Sequence, residues 1–259
     1  MTESTVLDQI VARTRERLRE EPKPDRRIAE EAARAKEAHA FAAALRRDSI
    51  NVIAEIKAAS PSAGPIAPNP DVETIARDYA TGGATAISVV TEPEFFHGSR
   101  EWLRRARTAA NLPVIMKDFV VEPSQILRGI IAGADAILLL ASVLDVHALR
   151  DFIALVDAYG CDALVEVHDE EELAKALEAG AKLLGVNNRD LRDFRVDLGT
   201  SERLAKLIPS DVIRVAESGI KSSQDVDRLR SAGFDAFLVG ESLLRQADRV
   251  RAVRALVER

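Results

Sequence analysis

Lys117, Glu166, Asn187 and Glu217 each end a short aliphatic run, two residues after Ile115, Leu164, Gly185 and Val215. In Val52-Ile53-Ala54-Glu55-Ile56-Lys57 two further charges, Glu55 and Lys57, follow Ile53 at the same spacing. If these runs are β-strands, a period of two places all six side chains in phase with the apolar face. One charge at a strand end is often just where the chain meets water. Five strands in phase are different, because burying lysines and glutamates costs several kcal/mol unless they pair. Burial and like-charge neighbours would push some of their pKa values toward neutrality, which suits them to move protons.

Two glycine turns add an anion site. Ala216-Glu217-Ser218-Gly219-Ile220 and Val239-Gly240-Glu241-Ser242 each offer backbone N–H groups, and the second opens a helix. A helix N-terminus favours phosphate. Ser60-Pro61-Ser62-Ala63-Gly64, after the first run, can close over the same region with hydroxyls. Phe95, Phe96 and Phe119 follow the second and third runs, either as an apolar wall for a ring or as packing beneath a loop. His97, His147 and His168 are scattered without metal-ligand spacing, so no metal site is expected. Cys161, the single cysteine, excludes an internal disulfide framework and reads as core.

These residues need strands and helices in alternation. Eight apolar runs do alternate with amphipathic stretches: 51–57, 84–90, 113–117, 134–140, 162–167, 182–187, 212–217 and 235–239. Gly83, Gly133, Gly180 and Gly233 punctuate several of them, as C-terminal helix caps before buried strands would. Near-continuous apolar strands between helices mean a parallel sheet covered on both faces. Eight βα units fit a closed (β/α)8 TIM barrel better than a doubly wound sheet, whose glycine fingerprint after an early strand is missing. Active sites of such barrels lie at the C-terminal ends of the strands, and phosphates bind after strands 7 and 8. Helical spacing over 5–19 and 27–45, around a breaker at Pro22–Pro24, predicts an N-terminal helical extension. We therefore expect one domain over 1–259, with the extension in 1–48 and the barrel in 49–259.

Composition agrees. In 259 residues, 47% are hydrophobic and 30% charged, and 36 basic side chains oppose 42 acidic ones for a formal net charge of −6. A soluble globular chain with a large core follows. Nothing calls for nucleic acid or a membrane, and an N-terminus with Glu3, Asp8, Glu16 and Glu20 among its arginines is unlike a targeting peptide. The expectation is a cytoplasmic protein.

The motifs together resemble the indole-3-glycerol phosphate synthase family of tryptophan biosynthesis. They are Ala54-Glu55-Ile56-Lys57-Ala58-Ala59-Ser60-Pro61-Ser62, Ser88-Val89-Val90-Thr91, Phe95-Phe96-His97-Gly98-Ser99 and Met116-Lys117-Asp118-Phe119. Leu164-Val165-Glu166-Val167-His168, Gly185-Val186-Asn187-Asn188-Arg189-Asp190-Leu191 and the two glycine turns complete the set. Ala58, Ala63 and Met116 depart from it, standing where basic residues are common. The resemblance implies ring closure, decarboxylation and dehydration of 1-(2-carboxyphenylamino)-1-deoxyribulose 5-phosphate by a carboxy-lyase. It implies Lys117 as general acid, with Lys57, Glu166, Glu55, Asn187 and Glu217 as the other catalytic groups. It further implies substrate contacts from Arg189, Ser218, Phe96, Phe119 and Leu138, and phosphate contacts from Ser60, Gly219, Gly240 and Glu241. No cofactor or metal is implied. A phosphorylated small molecule is the partner, and the protein is expected as a monomer or weak homo-oligomer. Two alternatives stand beside this reading: another phosphosugar barrel enzyme, such as a phosphoribosylanthranilate isomerase, or a redesigned barrel that binds phosphate without turnover.

Overall fold

A computed structural model describes residues 5–190 and 195–258; Leu191 of the sixth motif lies outside them. Eight parallel strands close into a barrel: β1 (Asn51–Ile56), β2 (Ala86–Val90), β3 (Val114–Lys117), β4 (Ala136–Leu140), β5 (Asp162–Val167), β6 (Leu183–Asn187), β7 (Ile213–Glu217) and β8 (Ala236–Val239). They pair in chain order, and β8 returns to β1 with Asn51 opposite Ala236 and Ala54 opposite Val239. A two-stranded hairpin, Ala59–Ser60 against Gly64–Pro65, sits on the loop after β1. No described helix is long and apolar enough to cross a membrane.

Period-two alternation divides the strands cleanly. Val52, Ala54 and Ile56 of β1 pack outward in the cluster shared with the helices, as do Val114 and Met116 of β3. Ile53, Ile115, Leu164, Val215 and Leu238 belong to a separate cluster inside the barrel. The helices between strands cover the outer layer, and their glycine stops adopt the left-handed conformation expected: φ is 96° at Gly83, 104° at Gly133, 90° at Gly180 and 97° at Gly233. Only a residue without Cβ takes that conformation cheaply.

The extension differs from the two helices expected of it. Its first, α1, runs Val6–Glu20 behind a capping box in which Thr5 and Asp8 satisfy each other's backbone N–H. The expected helix over 27–45 is broken in two, α2 (Arg26–Arg34) and α3 (Ala40–Leu45), with His39 at a φ of 54° between them. The physical reason lies in tertiary contacts that helical propensity does not encode. The Asp162 carboxylate at the start of β5 accepts from the Ala42 N–H at 2.9 Å and meets His39 Nδ1 at 3.0 Å. Those contacts turn α3 so that Phe41 and Leu45 join the inner barrel cluster. The extension therefore serves both ends of the barrel: α3 plugs one, and Val6, Leu7 and Ile10 of α1 reach the cavity at the other.

Candidate active site

The helices that alternate with the strands are α4 (Val72–Gly82), α5 (Glu101–Ala110), α6 (Pro123–Ile131), α7 (Val146–Ala158), α8 (Glu170–Glu178), α9 (Gly199–Ala205) and α10 (Ser223–Ser231), and α11 (Glu241–Leu244) and α12 (Arg249–Val257) follow the last strand. Above the inner apolar cluster, the C-terminal strand ends open into a cavity of about 930 Å³. All fifteen residues singled out from the sequence for catalysis, substrate or phosphate line it.

Its floor is an ion network. Lys117 Nζ stands 3.1 Å from Glu166 Oε2 and 2.9 Å from Glu217 Oε2, bridging β5 and β7 from β3. Lys57 Nζ meets Glu55 Oε1 at 2.6 Å. Asn187 Nδ2 donates to Glu166 Oε1 at 2.9 Å, and Asn187 Oδ1 accepts from the Arg189 N–H at 3.0 Å. The strands are in register for this: Glu166 lies opposite Gly185, and Asn187 opposite Glu217. Gly185 is part of the design, because a Cβ there would fall 2.1 Å from Glu217 Oε1. A Cβ on Gly240 would fall 2.5 Å from Glu55 Oε1.

Three carboxylates share two ammonium groups here, and their proton affinities separate accordingly. Burial alone would raise the Glu55 and Glu166 carboxyls. Lys57 and Lys117 outweigh it at Glu55, while Lys117, His168 and Asn187 outweigh it at Glu166, so both end below the ordinary value. At Glu217 burial wins over Lys117, helped by the negative Glu166 and Glu55, and the carboxyl is pushed up to about 7. Burial would lower the Lys117 ammonium, but Glu166, Glu217 and Glu55 more than reverse this and hold it protonated. The site thus contains a fixed cation, two fixed anions and one carboxyl poised near neutrality.

Around this floor the walls differ in character. Phe96 and Phe119 face each other with centroids 5.8 Å apart at 39°, and Leu138 continues the apolar side. Glu92, buried behind them, shapes that loop by accepting from the N–H groups of Phe95 and Phe96 at 2.6 and 3.0 Å. Opposite lie the glycine turns, where Ser218 and Gly219 both take positive φ, 64° and 84°. The helix opened by the second turn, α11, is only four residues long. So short a helix can offer an anion local N–H groups but not the macrodipole expected from sequence. Ser60 Oγ accepts from the Ala63 N–H at 3.2 Å, which orders the hairpin loop at the rim.

Two features escaped the sequence reading. The apolar lining from α1 carries no local signal, since Val6, Leu7 and Ile10 look like any helix face. His168 does carry one: it continues the parity Leu164, Glu166, His168, although it lacks metal-ligand spacing. It stands 3.3 Å from Glu166 Oε1.

A sequence model described as indole-3-glycerol phosphate synthase matches residues 7–256. The chain belongs to the indole-3-glycerol phosphate synthase family. Its curated relatives of that name include one from Rhodopirellula baltica, 43% identical over 98% of this chain and 99% of the relative. Another, from Ruminiclostridium cellulolyticum, is 46% identical over 81% of this chain and 80% of the relative. Among solved structures, 3-hexulose-6-phosphate synthase from Salmonella typhimurium aligns with a TM-score of 0.65 at 18% identity, covering 80% of this chain and 96% of the other. That likeness reflects the barrel fold alone. Membership of the synthase family sets aside the isomerase alternative.

Proposed function

We propose that this cavity closes the indole ring of 1-(2-carboxyphenylamino)-1-deoxyribulose 5-phosphate, with loss of carbon dioxide and water, and that Lys117 is its general acid. The observation that carries the reading is the Lys117 ammonium, held between Glu166 and Glu217 at the floor of the cavity. Attack of the aryl carbon on the ketone places negative charge on the carbonyl oxygen. A preorganised ammonium stabilises that charge and delivers the proton. Lys57, on the neighbouring side of the floor, contacts the substrate carboxylate or shares the proton transfer.

Loss of carbon dioxide from the cyclised intermediate restores the aromatic ring. Phe96, Phe119 and Leu138 help by surrounding the departing carboxylate with apolar surface instead of water. Dehydration then passes a ring proton to a base and releases the hydroxyl as water, protonated by one of the two lysines. Glu166, held ionised, takes the proton, while Glu55 and Glu217 hold the lysines and the substrate hydroxyls. Asn187, Arg189 and Ser218 orient the anilino end. Ser60 and the backbone of Gly219, Gly240 and Glu241 hold the phosphate.

We read residues 1–259 as one domain, supported by Phe41 and Leu45 of the extension lying within the barrel's inner cluster. We further read it as a cytoplasmic monomer or weak homo-oligomer acting on a small phosphorylated molecule and not on nucleic acid. Incubation with the anilino-deoxyribulose phosphate tests the function directly. Indole absorbance should rise together with carbon dioxide release; phosphate binding with no indole would identify a barrel without turnover.

A further inference from the structure

His168 and Glu172 form a pair that the proposed chemistry leaves unused. Four residues apart, they link the end of β5 to the first turn of α8. Glu172 Oε2 accepts from the His168 backbone N–H at 2.9 Å and lies 3.0 Å from His168 Nδ1. Asp169 caps α8 and accepts from the Glu172 N–H at 2.9 Å, which anchors the pair's carboxylate end. The other ring nitrogen, Nε2, is directed at the active site and stands 3.3 Å from Glu166 Oε1. Only 13% of the His168 side chain is exposed, and it does not itself line the cavity.

We propose that His168, held as an imidazolium by Glu172, is a positioning residue that keeps Glu166 ionised with its second oxygen turned to Lys117. The inference rests on the proposed catalytic role of Glu166. Its geometric basis is the division of labour at that carboxylate. Oε1 receives Asn187 and faces His168, whereas Oε2 receives Lys117. A carboxylate held on one side by the Asn187 hydrogen bond and faced there by the imidazole presents its other oxygen in a single orientation, which is what proton transfer over a short distance requires. A second partner is needed because Lys117 is shared. It also faces Glu217, and it feels Glu55.

The charges around the pair favour this arrangement. His168 faces Glu166 on its own strand and Glu172 on α8. Glu166 faces Lys117 from β3 and Asn187 from β6, and it feels Glu55 from β1 and Glu217 from β7. Burial would lower the imidazolium's proton affinity, but the two facing glutamates overcome it and raise the pKa to about 10. A cation between two carboxylates is thus maintained across the neutral range, and Glu166 feels it at every working pH.

Three variants and two readouts decide the matter. In His168→Gln, the acid limb of the kcat profile should move up by about 1–2 pH units, because Glu166 loses a facing cation. On that limb kcat then falls about tenfold per unit, while KM stays within about twofold. An acid limb superimposable on the wild type, whatever the effect on stability, overturns the proposal. Nitrogen-15 NMR of the four histidines gives a readout independent of turnover. His168 should keep both ring protons through pH 9 in the wild type and lose one near neutrality in Glu172→Gln. Titration of wild-type His168 near its ordinary value would overturn the proposal even if His168→Gln does not fold. Glu166→Gln separates the two levels. Unimpaired indole formation by that variant removes the catalytic role of Glu166 and with it the proposal, whereas an inactive Glu166→Gln in which His168 stays protonated leaves that role standing and supports Glu172 as the group that holds the imidazolium.

Discussion

Glu217 is poised to gain or lose a proton near neutral pH because two ammonium groups cannot neutralise three buried carboxylates. Its carboxyl, pushed up to about 7, binds a proton more tightly in the folded protein than in the unfolded chain. That stabilisation is complete below the ordinary glutamate value and is lost as pH rises from there through about 7. Glu217→Gln removes the ionisation, so its denaturation midpoint should exceed the wild type's at pH 8–9, with the gap closing toward pH 5. Urea titrations at the three pH values check this; a constant gap would place the proton elsewhere. The variant should also lose turnover, since active sites commonly trade stability for chemistry. Much of this was legible. The residue types and their phase announced buried charges that must pair, but which carboxylate stays protonated depends on distances that spacing does not encode.

The β-strand is the element that makes the cluster possible. Alternation delivers Ile53, Glu55 and Lys57 to one face and Val52, Ala54 and Ile56 to the other, so the same strand feeds two cores. Register then selects neighbours, and at Gly185 it leaves the space that the Glu217 carboxylate fills. Gly185→Ala should fold, because its backbone is not left-handed, yet it should displace that carboxylate. A shift of about 1 Å costs on the order of 10²-fold in rate, and kcat measured beside the thermal midpoint separates this from a folding defect. A rate within twofold of the wild type would show that the space is not needed. Strand phase was readable from sequence because the period is two. The break between α2 and α3 was not, because it is set by Asp162, more than a hundred residues away along the chain.

At the scale of the molecule, a barrel needs something at each end, and the N-terminal extension supplies both. Phe41 is fully buried among the inner residues, so Phe41→Ala should cost about 3–5 kcal/mol of stability, read from the shift in denaturant midpoint. At the other end α1 is tied down by charge. Arg17 reaches Glu92 at 3.4 Å, and Glu21 pairs with Arg100 and Arg128, each at 2.9 Å. The sequence announced a helical cap but not that it divides between floor and mouth, since that depends on where the barrel's axis runs relative to each helix. The net charge of −6 proved no guide to the ligand, because Lys57 and Lys117 face the cavity whatever the surface carries. If Lys117 protonates the developing alkoxide, single-turnover kinetics of Lys117→Ala will show it. With the anilino-deoxyribulose phosphate in excess of its dissociation constant and circular dichroism unchanged, indole formation should fall at least about 10²-fold. Indole formation at the wild-type rate would contradict the assignment.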